Sequence, residues 1–153
     1  MPEIRGGFHE VPAASVPELL AEAARRDVPA FTLSTGGRTD KEAFFRAVRE
    51  TLPLDPPLSA TRHVWDALAD SVWGGLHGLE APRVVVVWPD AGPVAEAHGD
   101  HAIALDVLRD LPTSLADARC TAGRRTALSV YVASAHRDGG PSRSAPPRTA
   151  DPR

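Results

Sequence analysis

Apolar residues recur along this chain with two periods, and the points where one gives way to the other mark out seven elements. Ser15-Val16-Pro17-Glu18 opens a first helix with a hydroxyl and, three residues later, a carboxylate. Leu19, Leu20, Ala23 and Ala24 supply its apolar side before Pro29 ends it. Ala30 to Ser34 alternates, with Phe31 and Leu33 on one side, which predicts a strand. Gly36-Gly37 breaks it. Thr39-Asp40-Lys41-Glu42 is a second capping box, leading a helix with Phe44, Phe45, Val48 and Leu52 at helical spacing. Pro53, Pro56 and Pro57 stop that helix. The stretch from His63 predicts a third helix with an apolar stripe of Trp65, Leu68, Val72 and Leu76, ending at Gly74-Gly75, residues suited to a left-handed cap. Arg83 to Trp88 contains four consecutive valines, a strand buried on both faces as in a helix-covered parallel sheet. After the loop Pro89-Asp90-Ala91-Gly92-Pro93, Asp100 can cap a helix that buries Ala104, Val107, Leu108 and Leu111. Thr126 to Ala133 predicts a last strand, with Leu128, Val130 and Val132 on one side and Tyr131 on the other.

The order helix, strand, helix, helix, strand, helix, strand predicts an α/β domain over residues 15–134. It would be a small three-stranded parallel sheet packed by about four helices. Residues 1–14 carry Pro2, Gly6, Gly7 and Pro12 without periodicity and are expected to be a loose lead-in. Residues 135–153 hold no Leu, Ile, Val or aromatic side chain. Nothing there offsets the entropy of ordering, so a disordered tail is expected.

Composition narrows the classes. A chain of 153 residues with 42% apolar content can bury one real core. It has no apolar run of membrane-spanning length and no signal-like N-terminus, and Cys120 is its only cysteine. A cytoplasmic protein with no membrane partner is the expectation. The net charge of −3 is unevenly spread. Residues 1–39 have 4 basic and 5 acidic groups, net −1; residues 40–117 have 6 and 13, net −7; residues 118–153 have 7 and 2, net +5. The acidic middle segment repels nucleic acid and attracts basic partners. An acidic surface also serves solubility alone.

Within that segment Asp66, Asp70 and Trp73 fall four and then three residues apart, on a helix face different from the apolar stripe. Neither carboxylate has a Lys or Arg four residues downstream, and such a pair costs about 0.2–0.5 kcal/mol in an isolated helix. The spacing alone favours a solvated acidic face over a cation-docking edge beside an aromatic. Other chemistry is thinly supported. Ser34 to Lys41 is a Gly-rich turn that could hold phosphate on backbone N–H groups, but Thr32 and Arg38 stand where a P-loop needs Gly and Lys. His98, Asp100 and His101 are close in sequence, yet neither flank supplies another metal ligand. Cys120 lies between Arg119 and Arg124, without a base that sequence can place.

Over about residues 27–133 the chain resembles the barstar family, intracellular inhibitors of ribonucleases. Trp65-Asp66-Ala67-Leu68-Ala69-Asp70-Ser71-Val72 resembles that family's Trp-Asp-Ala-Leu-x-Asp-x-Leu helix. The apolar strand Val84 to Trp88 follows it, and Asp40 to Phe45 resembles the family's first core helix. The resemblance implies that the acidic helix and its neighbouring loop plug a ribonuclease active site. Asp70 would be the central anion, Asp66 its flank and Asp110 a third carboxylate from the later helix. Trp73, Gly74 and Gly75 fall where the family's helix end touches its partner, and Ala69 and His63 complete the implied partner-binding set. It implies no catalysis, cofactor or metal, a basic ribonuclease as partner, no nucleic acid, and a monomer when free. The chain departs from the family at Ala60-Thr61-Arg62-His63-Val64, which lacks the usual aromatic pair, glycine and asparagine. Arg62 sets a positive charge where a cationic nuclease would approach, four residues before Asp66. Two alternatives stay open: a barstar-like scaffold for another basic protein, and a small phosphate-binding enzyme using Gly36-Gly37.

Overall fold

Four strands run parallel in one sheet, and helices cover both of its faces. The computed structural model describes residues 4–134. In chain order these form β1 (Gly7–Pro12), α1 (Val16–Arg25), β2 (Ala30–Thr32), α2 (Lys41–Thr51), α3 (Trp65–Gly78), β3 (Arg83–Trp88), α4 (Gly99–Leu115) and β4 (Ala127–Ser134). Single 3-10 turns at Ala13–Ser15 and Val94–Glu96 complete them. The strand order is β1-β4-β3-β2, with every neighbouring pair parallel. The expected tail, residues 135–153, lies outside the described residues.

The α/β class and the four helices agree with expectation, but the sheet has four strands, not three. The additional strand is β1, inside the stretch expected to be loose. It pairs along β4 from Gly7 opposite Ser129 to Pro12 opposite Ser134. Its sequence shows no alternation because it offers only one apolar side chain to each face. Phe8 packs towards one core and Val11 towards the other, while the His9 ring stacks on Tyr131 at 5.3 Å.

Period two does govern β3 and β4. Val84, Val86 and Trp88 face a first core, Val85 and Val87 a second, and none is more than 1% exposed. Leu128, Val130 and Val132 join the first; Tyr131 and Ala133 join the second. The first core is closed by Phe44, Phe45 and Val48 of α2, Leu68, Val72 and Leu76 of α3, and Leu105, Leu108 and Leu115 of α4. The second is closed by Val16, Leu19 and Ala23 of α1 together with Ile4. Val107, expected on the buried side of its helix, is only half-buried.

Four helix ends differ from their sequence signals. Ser15 begins α1 without a side-chain cap. At α2 Asp40 is the cap: its carboxylate accepts from the Ala43 N–H at 3.1 Å and binds Arg38 at 2.8 Å. At α4 the cap position is His98, and Asp100 lies in the first turn. The largest difference is at Gly74-Gly75, where α3 continues for another turn to Gly78. These glycines do not end the helix; they let another segment touch it. A Cβ on Gly74 would collide with the Asp55 carbonyl, and one on Gly75 with the Pro53 carbonyl. The chain leaving α2 therefore lies directly on α3, and the Asp55 N–H donates to the Ser71 carbonyl at 2.9 Å.

Two substitutions test this. Gly75→Ala would gain about 1 kcal/mol from helix propensity alone. The blocked approach of Pro53 reverses that sign, so a loss of about 1–3 kcal/mol is expected from urea unfolding, as for other overpacked sites. Ile4→Ala should cost about 2–4 kcal/mol as a core truncation, since Ile4 is 5% exposed. A loose lead-in would instead keep the change within about 0.5 kcal/mol.

Candidate partner-binding groove

The crossover helices α3 and α4 lie side by side on the first core, and a groove of about 340 Å³ opens between them. Asp66 and Asp70 project into it from α3, Asp106 and Asp110 from α4. Each helix contributes two carboxylates four residues apart, so four anions share one cleft. All four residues are exposed. Asp106 pairs with Arg109 at 2.8 Å. Among the described residues no basic side chain lies within 4.0 Å of Asp66, Asp70 or Asp110.

The walls are aromatic and held in place. The Trp73 indole N–H donates to the Ser114 hydroxyl at 2.7 Å, tying α3 to α4, and its ring stacks on His77 at 4.8 Å. Trp65 packs on Phe45 at 5.0 Å and Phe44 at 5.9 Å, with the Lys41 ammonium 5.8 Å over its ring. The half-buried Ala69 lies between the two tryptophans, and Val107 and Ile103 face them from α4. Ile103 is 39% exposed, one of three large apolar side chains so open among the described residues.

The remaining expected site residues lie elsewhere. Gly74 faces the Pro53–Asp55 segment rather than the groove. His63 precedes α3 with its ring 4.8 Å from Phe45, its Nε2 buried and without a hydrogen-bond partner. Arg62 makes no ion pair with Asp66. It lines a second groove of about 430 Å³, walled by Pro56, Pro57, Leu58 and Val64, on the other flank of Asp70. Ser59 fixes that loop by accepting from the Thr61 and Arg62 N–H groups at 3.2 and 3.0 Å. Asp70 is thus shared by both grooves.

Sequence reasoning singled out Asp66, Asp70, Ala69, Trp73 and Asp110, which the structure brings together, and passed over Asp106, Ile103 and Ser114. A signal existed. Asp106 and Asp110 repeat the i,i+4 spacing of Asp66 and Asp70, and Ser114 continues it.

The other chemical candidates are placed as follows. In the Gly36-Gly37 turn, the Asp90 carboxylate accepts from the Thr35 N–H at 3.2 Å and the Gly37 N–H at 3.0 Å. Those are donors a phosphate would need, and a fixed anion already holds them. The Trp88 indole closes the turn from below, donating to the Thr35 hydroxyl at 3.1 Å. His98 Nδ1 lies 3.2 Å from the Glu96 carbonyl, while the His101 ring stands edge-on to Trp88 at 5.9 Å. Burial lowers the His101 pKa below the ordinary imidazole value. Among the described residues no group of three or more His, Cys, Asp or Glu could hold a metal.

No curated protein and no solved structure matches this sequence. The sequence model of a family described as Barstar (barnase inhibitor) matches residues 28–131. The match starts just before β2, runs into β4, and contains the whole of α3, α4 and the groove between them, while β1 and α1 precede it. The chain therefore belongs to the barstar family.

Proposed function

We propose that this protein is a non-catalytic inhibitor that binds a basic ribonuclease across the α3–α4 groove. The observation that carries the proposal is a preformed cleft in which Asp66, Asp70 and Asp110 have no counter-ion among the described residues. A ribonuclease must hold cations where the phosphate of RNA binds, and a carboxylate cluster on rigid helices is complementary to such a site. Asp70 is the central anion because both grooves meet at it. Trp65 and Trp73 supply large, held aromatic surfaces of the kind that anchor interfaces. In this reading the protein needs no cofactor or metal, works in the cytoplasm as a monomer until it meets its partner, and offers nothing in the groove to nucleic acid or a membrane. No described helix is long and apolar enough to cross a membrane.

One observation favours a second reading, in which the groove receives a basic protein other than a nuclease. Arg62 occupies the flanking groove with no carboxylate within 4.0 Å among the described residues, so a partner there must offer an acidic group beside its cations. Titration against barnase, with RNA cleavage as readout, separates the two. Inhibition supports the first reading, and failure to bind barnase supports the second.

Asp70→Ala should weaken nuclease binding by about 2 kcal/mol or more, some 30-fold in Kd, a general hot-spot magnitude to which barstar-family complexes themselves contribute. The same change relieves an i,i+4 repulsion in the free protein, so stability should hold or rise by about 0.2–0.5 kcal/mol. Calorimetric titration beside urea melts checks both. Unfolding with affinity intact would make Asp70 structural and end the proposal.

Association should also slow as salt rises. The net −7 middle segment steers a cation, and a Debye length of about 10 Å at 0.1 M screens that steering. Stopped-flow rates that stay flat from low to high ionic strength would exclude the acidic groove as the docking surface.

A further inference from the structure

A parallel sheet brings all of its strand starts to one edge, and here an arginine stands at or near every one. Arg5 precedes β1, Arg125 precedes β4, Arg83 opens β3, and Arg25 and Arg26 end the stretch leading to β2. The strand order β1-β4-β3-β2 lays them side by side. Arg83 pairs in register with Ala127, two residues after Arg125, and its guanidinium lies 3.4 Å from the Ile4 carbonyl, next to Arg5. All five are exposed. Glu22 takes up Arg25 and Arg26. Arg5, Arg125 and Arg83, on the adjacent strands β1, β4 and β3, have no carboxylate within 4.0 Å among the described residues. Their backbone positions lie on adjacent strands, about 4.8 Å apart, and the Arg83 side chain reaches across the start of β4 towards Arg5.

We propose that this edge binds the phosphodiester backbone of a nucleic acid strand, over about three phosphates and without regard to sequence. Guanidinium groups present paired donors that match phosphate oxygens, and the row contains no lysine. A protein partner would need an apolar centre to its contact. Among the described residues near this edge, Leu79, at 38%, is the one large apolar side chain so exposed. Nucleic acid interfaces are more polar and far more positive, as the row is. The rings nearest the row are engaged internally, His9 stacked on the buried Tyr131 beside Arg5 and His77 on Trp73 beside Arg125, so the contact is assigned to the backbone. None lines the acidic groove, so the two surfaces are separate. The expectation of no nucleic acid partner rested on the acidic middle segment. These arginines come from positions 5, 83 and 125, and only the sheet assembles them.

The test is fluorescence anisotropy of labelled single-stranded 12-mers, one RNA and one DNA, with the full chain between about 20 and 200 mM salt. Weak binding of both strands is expected at the lowest salt, with log K falling against log salt at a slope of about −2, from roughly −0.7 per phosphate. The double variant Arg5→Gln, Arg125→Gln should lose at least tenfold in affinity and flatten the slope by about 1.4. Arg83→Gln should act in the same direction, with its urea midpoint measured because that side chain also touches Ile4. Asp70→Ala should leave oligonucleotide binding unchanged. The proposal is overturned if neither strand binds, or if the double variant binds like the parent, which would assign the affinity to cations elsewhere in the chain. A tenfold preference for RNA over DNA would overturn backbone-only recognition. Equal competition by poly-glutamate would replace a nucleic acid site with a general acidic-protein surface.

Discussion

The constraint on which the structure rests is that a parallel sheet must be buried on both faces. Parallel neighbours cannot be joined by tight hairpins, so every connection passes through a helix that then lies on the sheet. In β3 five successive residues are essentially inaccessible, split between two cores by the alternation of the strand. Three helices cover one face. The other depends on α1 with Ile4, and β4, with six of its eight residues buried, depends on β1 to cover its free edge. The segment before the family match is therefore structural: it closes a face and an edge that the matched region by itself leaves open.

That arrangement determines the groove. α3 and α4 both lead back to strand starts on the same edge, so they lie beside each other with the same sense, and residues at successive turns face one another across the cleft. Two local devices hold them there. The absence of a side chain at Gly74 and Gly75 lets the Pro53–Asp55 backbone clamp the outer side of α3. The Trp73–Ser114 hydrogen bond then ties α3 to α4 on the inner side. Carboxylates mounted on elements fixed from both sides would need little reordering on docking of the proposed partner, and such preorganisation removes part of the cost of association.

Residues whose role is set by local periodicity were legible in the sequence, and residues whose role is set by the approach of another segment were not. The valines of β3, the stripe of α3 and the alternation in β4 follow from the chain's own pattern. β1 was hidden because Gly-Phe-His-Glu-Val-Pro offers one apolar side chain to each face, which reads as no pattern. Gly74-Gly75 was read as a helix end because a glycine pair carries two meanings, a left-handed cap and a close backbone approach. Only the position of Pro53 and Asp55 selects the second. The candidate site divides the same way. Asp66 and Asp70 declare themselves by spacing and by the lack of a downstream cation. Asp106 does not, because Arg109 three residues on makes it look like an ordinary solvated pair. His63 and Gly74 sit beside the acidic helix in sequence, yet packing directs them to Phe45 and Asp55.

The Asp106–Arg109 pair also shows why the groove remains available to a cation. An exposed ion pair of this kind contributes about 0–1 kcal/mol, since water screens it and two long side chains must be held to make it. Both of its members are surface groups, so Arg109 can release Asp106 at little cost, and its guanidinium already lies 4.7 Å over the Phe8 ring of β1. Other carboxylates of the chain are satisfied locally: Asp40 caps its helix, Glu22 gathers Arg25 and Arg26, and Asp90 satisfies the glycine turn. Against that background two i,i+4 carboxylate pairs facing across one cleft are a local conflict, each unfavourable by a few tenths of a kcal/mol. Local conflicts of this kind are expected at functional sites, where the compensating interaction comes from outside the chain. Under the proposed function, that interaction is a cation brought by the partner.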